Sequence, residues 1–443
     1  MSTIRIDPTK QVGPIKPMNG VGGGPVTGNF EYDASDLFRE AGIPFSRTHD
    51  IEYPFGSGEY VDIHCIFPNF DADVDDPASY NFVFTDEYLK AIIAAGAEPF
   101  YRLGSTIEHQ PIKRYIYPPK SNEKWAQICS HIIAHYNEGW ADGFHMNIRY
   151  WEIWNEPDLA NRCWTGTHQQ FFELYETAAK LIKREHPDVK VGGCAVTVAD
   201  SPMTEEFLRY VAETHAPLDF FSWHGYVHTP AQAQRYADFA AALMHKYGFD
   251  DIESIYNEWN YVVRWDDTIQ RSLDLIPAPM CAAFITSVMS VLQDGRTDKS
   301  MYYGVHGIGS SFNGLFRAGV MPRHGDPIPI LPLKPYYAIK AWHLLDELGT
   351  QLRAEADDRD VYVTAAVNGD TLRALVTLYN DDAGFGESTP EPQEITVHVA
   401  GKTLVGGELR RVDETHDFAP EPLEGNTFTL AGNSFALVTW KLA

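Results

Sequence analysis

The sequence predicts a (β/α)8 TIM barrel with an appended antiparallel β-sandwich, on three observations. From Pro17 to Gly349, short apolar runs alternate with longer amphipathic stretches, the rhythm of βα units around a parallel sheet. Eight such runs occur, each followed by a helical stretch, which is the arithmetic of that barrel. After Gly349 the texture changes to short strands separated by Gly, Asp, Asn and Pro clusters such as Gly384–Pro392.

Met18–Gly22 is the first expected barrel strand, with the helix Asp33–Ala41 behind it. Phe45–His49 then leads to Thr85–Ala95, Glu98–Leu103 to Asn122–Tyr136, and Tyr150–Asn155 to His168–Glu185. Val189–Ala195 leads to Thr204–Thr214, and Asp219–His224 to Ala231–Tyr247. Ser254–Asn257 leads to Ala278–Leu292, and Ser300–Val305 to Pro335–Leu348. The sandwich strands are Val361–Val367, Leu372–Tyr379, Glu394–Val399, Glu408–Val412, Thr427–Leu430 and Ser434–Leu442. Thr3–Asp7 precedes the barrel and is free to pair into the sandwich. The expected division is a barrel over residues 15–348 and an accessory β-sandwich from residues 1–14 and 349–443, in keeping with a length of 443 residues.

A hydrophobic share of 44% and a charged share of 22% describe an ordinary globular protein. The formal net charge of −26 opposes binding to nucleic acid, whose phosphates need Lys and Arg, and suits a neutral substrate. Cys65, Cys129, Cys163, Cys194 and Cys281 are scattered and odd in number, which argues against a disulfide framework or a zinc site. The opening MSTIRIDPTK lacks a charged segment followed by an apolar one, so no signal peptide is read there. No apolar run approaches the roughly 18–20 residues that span a membrane. A cytoplasmic location and no membrane partner are expected; a homo-oligomer remains open.

The strongest local signal is Tyr150-Trp151-Glu152-Ile153-Trp154-Asn155-Glu156-Pro157-Asp158, an apolar strand ending abruptly in Asn-Glu-Pro. Strand C-termini form the working rim of such a barrel, so Asn155 and Glu156 sit at its mouth. Pro157 cannot continue the sheet and turns the chain outward. Alternation puts Glu152, Trp154 and Glu156 on one face, unless the strand end bulges. Ile255-Tyr256-Asn257-Glu258-Trp259-Asn260 repeats the device at the seventh strand. Glu156 and Glu258 are 102 residues apart in sequence yet share one rim. Two facing carboxyl groups are what glycoside hydrolysis needs, about 5–5.5 Å apart where configuration is retained. An ionised nucleophile keeps its neighbour protonated by like-charge repulsion, and the neighbour turns base once that charge is consumed. Such chemistry requires no cofactor.

These elements resemble clan A glycoside hydrolases and, within them, family 39, the group of β-xylosidases and α-L-iduronidases. The resemblance spans nearly the whole chain. It includes Ser46-Arg47-Thr48-His49, Pro118-Pro119-Lys120 followed by Glu123-Lys124-Trp125, and Glu152 through Asp158. It continues through Asp219-Phe220-Phe221-Ser222-Trp223-His224-Gly225-Tyr226, Asn257-Glu258-Trp259-Asn260 and Lys334-Pro335. It implies that Glu156 is the general acid/base and Glu258 the nucleophile. It also implies that Asn155 bonds the sugar 2-hydroxyl, that Arg47 donates to the nucleophile, and that His49, His224 and Tyr226 line the sugar subsite. The implied activity is retaining exo-hydrolysis of pentosides in small plant-type oligosaccharides.

The sequence departs from the family pattern at the eighth strand, Met301-Tyr302-Tyr303-Gly304-Val305-His306-Gly307. Family β-xylosidases carry Trp and then an acidic residue there. Here Tyr303 takes the Trp position and no acid follows before Asp326. Asp50, after the second-strand His, can supply the missing acceptor, which makes an α-L-arabinofuranoside a plausible alternative substrate. A catalytically silent carbohydrate-binding barrel is a further alternative, opposed by the presence of both glutamates. A uronide substrate would want a basic cluster, and only Arg47, Arg102 and Arg264 lie near the expected rim. Trp164, Trp223, Trp259 and Trp265 are candidate sugar platforms. His131 and His135 are spaced i, i+4, but Ile132 follows His131 where a zincin has Glu, so no metal site is read there. Gly20-Val21-Gly22-Gly23-Gly24 lacks phosphate-loop spacing.

Overall fold

In the computed structural model, residues 1–26, 33–51, 60–305, 312, 314–317 and 330–443 are described. Strand β1 (Ser2–Pro14) comes first, and the barrel follows: β2 (Gly20–Gly22), β3 (Phe45–Arg47), β4 (Glu98–Leu103), β5 (Tyr150–Ile153), β6 (Lys190–Val196), β7 (Phe220–His224), β8 (Glu253–Trp259) and β9 (Lys299–Tyr303). All eight barrel strands pair in parallel with their neighbours, and β9 closes on β2. The major outer helices are α1 (Ser35–Glu40), α3 (Val83–Ala94), α4 (Asn122–Asn137), α5 (His168–Glu185), α6 (Pro202–Thr214), α7 (Pro230–Lys246), α9 (Pro279–Asp294) and α10 (Lys334–Asp346). Between them lie the short α2 (Ile63–Ile66) and α8 (Ile269–Leu275).

Alternation along each strand builds the barrel interior in layers. Phe45, Phe100, Tyr150, Phe220, Ile255 and Met301 form a separate buried cluster that plugs the floor. Two residues further along the same strands stand Arg47, Arg102, Glu152, Ser222 and Asn257, all buried. Thus one strand period converts an apolar floor into a polar chamber. Residues of the opposite parity, including Tyr101, Trp151, Phe221, Trp223, Tyr256 and Tyr302, pack outward into the main core beneath the helices. Gly192 is required by this packing, since a Cβ there would stand 2.2 Å from the Phe220 carbonyl oxygen.

Beyond the short pair β10 (Phe316–Arg317) and β11 (Leu331–Pro332) come β12 (Thr350–Ala356), β13 (Val361–Asn368), β14 (Thr371–Leu378), β15 (Gln393–Val399), β16 (Leu404–Val412), β17 (Asp417–Leu423), β18 (Thr427–Leu430) and β19 (Ser434–Leu442). They join β1 in one nine-stranded sheet, ordered β17-β16-β19-β14-β13-β12-β1-β15-β18. Every pairing is antiparallel except β1 with β15. The sheet folds over a core of its own, in which Phe428 and Leu430 of the edge strand share space with Val376 and Trp440. Its other face joins the barrel: Ala366, Leu375, Phe435 and Leu437 belong to the main core.

Candidate active site

The chamber opens at the C-terminal ends of the barrel strands, where two local distortions aim the acids. Trp154 and Glu156 adopt left-handed φ values of 73° and 44°. The strict alternation expected for Glu152, Trp154 and Glu156 therefore fails at its middle member. Trp154 turns outward, packing 6.0 Å from Trp125 and 5.0 Å from Trp164, while its Nε1 donates to the Cys163 carbonyl at 2.8 Å. Glu156 is returned to the chamber. Asp158 fastens this turn to the loop after β6 by accepting from Thr197 N at 3.0 Å and from Thr197 Oγ1 at 2.7 Å. On β8 an irregularity opposite Trp223 and His224 lets consecutive residues, Asn257 and Glu258, both face inward.

Arg47 binds the site together from below. Its Nε donates to Glu152 Oε2 at 2.7 Å, Nη1 to Glu258 Oε2 at 2.8 Å and Nη2 to Asn155 Oδ1 at 2.7 Å. The last bond orients the Asn155 amide, leaving Nδ2 to point elsewhere. Tyr226 donates to Glu258 Oε1 at 2.8 Å, so both nucleophile-candidate oxygens are held. His224 Nδ1 shares a hydrogen bond with Glu156 Oε1 at 2.8 Å and lies 3.8 Å from Glu258 Oε2. One ligand-type atom from each of Glu156, His224 and Glu258 lies within 4.8 Å of the other two. The two carboxyl groups thus face each other across one small chamber, close enough to reach a single bond between them.

Burial pushes Glu156 up to about 8; the Asp158 charge adds to this and Arg47 opposes it. His224 is depressed to about 4, chiefly by burial, so its ring is neutral at pH 7. At that pH Glu156 is predominantly the acid form, which has a proton to give and offers little charge to a cation.

The remaining sugar-site candidates from the sequence form the wall on the β3 side. His49 Nδ1 accepts from Arg102 Nε at 3.2 Å, and Arg102 Nη2 pairs with Asp62. His49 Nε2 approaches Asp50 Oδ1 to 3.1 Å without the alignment of a hydrogen bond. Asp50 sits at a left-handed φ of 52°, and the Tyr303 hydroxyl donates to its Oδ2 at 2.9 Å. Burial, then the Glu258 charge, raise Asp50 to about 7.

Trp259 corrects the expectation. Counting outward from inward-facing Glu258, it points into the barrel–helix layer, fully buried between Tyr256, Phe284 and Tyr302, and presents no platform. Trp164 and Trp223 are likewise core. Trp265 is the candidate platform that reaches solvent, 64% exposed, with its ring 5.1 Å from Tyr226 and 5.9 Å from Phe312. His135 Nε2 shares a hydrogen bond with Asp86 at 3.1 Å, and its ring stacks on Phe82. The stretch His306–Gly307 lies outside the described residues, as does Asp326. Sequence reasoning did not anticipate Asn257, Asp62 or Cys163, whose Sγ lies 3.8 Å from Asn155 Nδ2. For Asn257 the signal was present, since Asn-Glu precedes both strand ends.

The sequence model of Glycosyl hydrolases family 39 matches residues 2–417. A β-xylosidase of Geobacillus stearothermophilus is 30% identical over 186 residues, covering 39% of this chain and 36% of that protein. A β-xylosidase of Caldicellulosiruptor saccharolyticus is 27% identical over 311 residues, covering 63% of this chain and 59% of that protein. The matches thus span less than two thirds of these relatives' lengths. Among solved structures, a glucosidase from Croceicoccus marinus superposes with a TM-score of 0.75 at 22% identity, covering 100% of this chain and 99% of that one. A family 51 α-L-arabinofuranosidase from Bifidobacterium longum gives 0.70 at 13% identity, covering 99% of each chain. At these identities the likeness is one of fold.

Proposed function

Because this chain belongs to glycosyl hydrolase family 39, we propose that it is a retaining exo-glycosidase acting on pentosides of small plant-type oligosaccharides, β-xylosidase-like in its chemistry. The observation that carries this reading is the meeting of Glu156 and Glu258 across His224, within 4.8 Å. Glu258, held by Arg47 and Tyr226, attacks the anomeric carbon. The bond to the leaving oxygen breaks as Glu156 delivers its proton, and a glycosyl ester on Glu258 forms. Glu156, now ionised, takes a proton from water as that water attacks the same carbon. The ester bond breaks and Glu258 recovers its charge. Two inversions return the original configuration. Asn155 Nδ2 serves the 2-hydroxyl, while His49, Asp50, His224 and Tyr303 bind the remaining hydroxyls.

A second reading, an α-L-arabinofuranosidase using the same two acids, is favoured by the Asp50–Tyr303 pair. It places an acceptor on the β3 wall, where family β-xylosidases carry theirs after the last barrel strand. An aryl glycoside panel of β-xyloside, α-L-arabinofuranoside, β-glucoside and α-L-iduronide separates these readings.

The mechanism is tested by substitution. Glu258→Ala should abolish turnover. Glu156→Ala should retain activity only on substrates with very good leaving groups and be rescued by azide, giving a glycosyl azide of retained configuration. Full activity of Glu156→Ala on natural linkages would overturn the assignment.

A further inference from the structure

Glu152 is a fully buried carboxylate that the two-acid chemistry does not use. It lies in the polar layer of the barrel interior, closed off from solvent. Its Oε2 accepts from Arg47 Nε at 2.7 Å, and its Oε1 accepts from Asn257 Nδ2. The charged groups around Arg47 are Glu152 on β5, Glu258 on β8 and Glu156 just beyond β5; His49 and His224 complete the titratable surroundings.

Charge conservation through the reaction gives this arrangement a purpose. In the free enzyme one guanidinium faces two carboxylates, Glu152 and Glu258. When Glu258 becomes an ester its negative charge passes to Glu156, which makes no hydrogen bond to Arg47 among the described residues, so the guanidinium loses a carboxylate it touches while its own charge stays buried. A buried charge without a partner is strongly destabilising. We infer that Glu152 is a positioning residue, the permanent counter-ion that keeps Arg47 oriented and charge-balanced while Glu258 is converted to an ester and back. This rests on the double-displacement reading above. Glu152 also divides the pull of Arg47, so the guanidinium does not spend its whole attraction on the attacking carboxylate.

Glu152→Gln isolates the charge. The structure accommodates it, because Asn257 Oδ1 has no hydrogen-bond partner among the described residues and an amide flip lets it accept from the new NH2 group. Removing this negative charge favours the ionised form of the other carboxylates around Arg47. The acidic limb of the kcat/KM profile should therefore move to lower pH by about one unit, with kcat/KM falling by about tenfold or more. The swapped pair Glu152→Gln with Asn257→Asp returns a carboxylate to the same cavity and should restore the wild-type limb. A purely structural role would lower activity and leave the limb where it is. An unmoved limb in Glu152→Gln overturns the inference, as does a limb the swapped pair fails to restore. If the single variant does not fold, the swapped pair carries the test: a wild-type limb supports the inference and a displaced one overturns it. Labelling of wild-type Glu258 by a 2-deoxy-2-fluoro glycoside, read by mass, tests the parent reading separately. A labelled Glu258 with an unmoved limb removes only the role of Glu152.

Discussion

At the scale of single residues, the two neighbouring acids occupy different surroundings. Glu258 is held by two donors, whereas Glu156 is buried beside a neutral imidazole and keeps its proton up to about 8. This has a thermodynamic signature. Unfolded, Glu156 releases its proton near its ordinary value of 4.5; folded, it holds it to about 8. Between those values the folded chain binds the extra proton, so this group's contribution to stability is lost as pH rises. Glu156→Gln has no such titration. Its thermal midpoint relative to wild type should be higher at pH 8 than at pH 5, by an amount equivalent to a few kcal/mol on the order of the shift. Equal differences at the two pH values, measured by scanning calorimetry, would refute this. That these two acids share one rim was legible from Asn-Glu at two strand ends. The Arg47 bridge between Glu152, Asn155 and Glu258 was only half legible, because a sequence pattern marks strand ends but not which chamber residues touch.

At the scale of elements, the sequence pattern located every barrel strand, and His168–Glu185 matches α5 residue for residue. Periodicity is strongest where one face is buried and the other wet. It failed at β12 and β17. Thr350–Ala356 exposes Arg353 and Glu355 on one side and reads as a polar linker after a helix. Asp417–Leu423 carries Pro420 and Pro422, which an edge strand tolerates on its unpaired side and which sequence rules count against a strand. Trp259 was misjudged because the β8 irregularity shifts parity by one, and no periodicity reports a bulge. Helix entry was better marked. Thr229 accepts from Gln232 N at 3.3 Å and Gln232 reciprocates, a capping box that starts α7 just after His224 at the end of β7 and the loop bearing Tyr226. Thr229→Ala should cost about 1 kcal/mol, read from the urea midpoint.

For the whole molecule, charge and sheet topology set the behaviour. With a net charge of −26, an anionic substrate is repelled and a neutral one is not. Raising NaCl from about 0.02 M to about 0.5 M should change kcat/KM on a neutral glycoside by less than about twofold. A several-fold rise would point to an acidic sugar instead. The connection between β14 and β15 also touches the segments that follow β7 and β8. Asp381 accepts from the Tyr261 hydroxyl at 2.5 Å, Tyr379 donates to the His228 carbonyl at 2.7 Å, and Arg271 stacks on Phe385 at 4.0 Å. None of these contacts was foreseeable, since they join residues more than a hundred positions apart. The placement of β1 between β12 and β15 bears on biosynthesis. On the ribosome, Ser2–Pro14 emerges well before Thr350–Ala356 and Gln393–Val399 and waits on the order of tens of seconds for these partners to be translated. During that interval its apolar Ile4 and Ile6 are bare, a natural landing point for a chaperone, and pairing with the two late strands becomes the step that seals them.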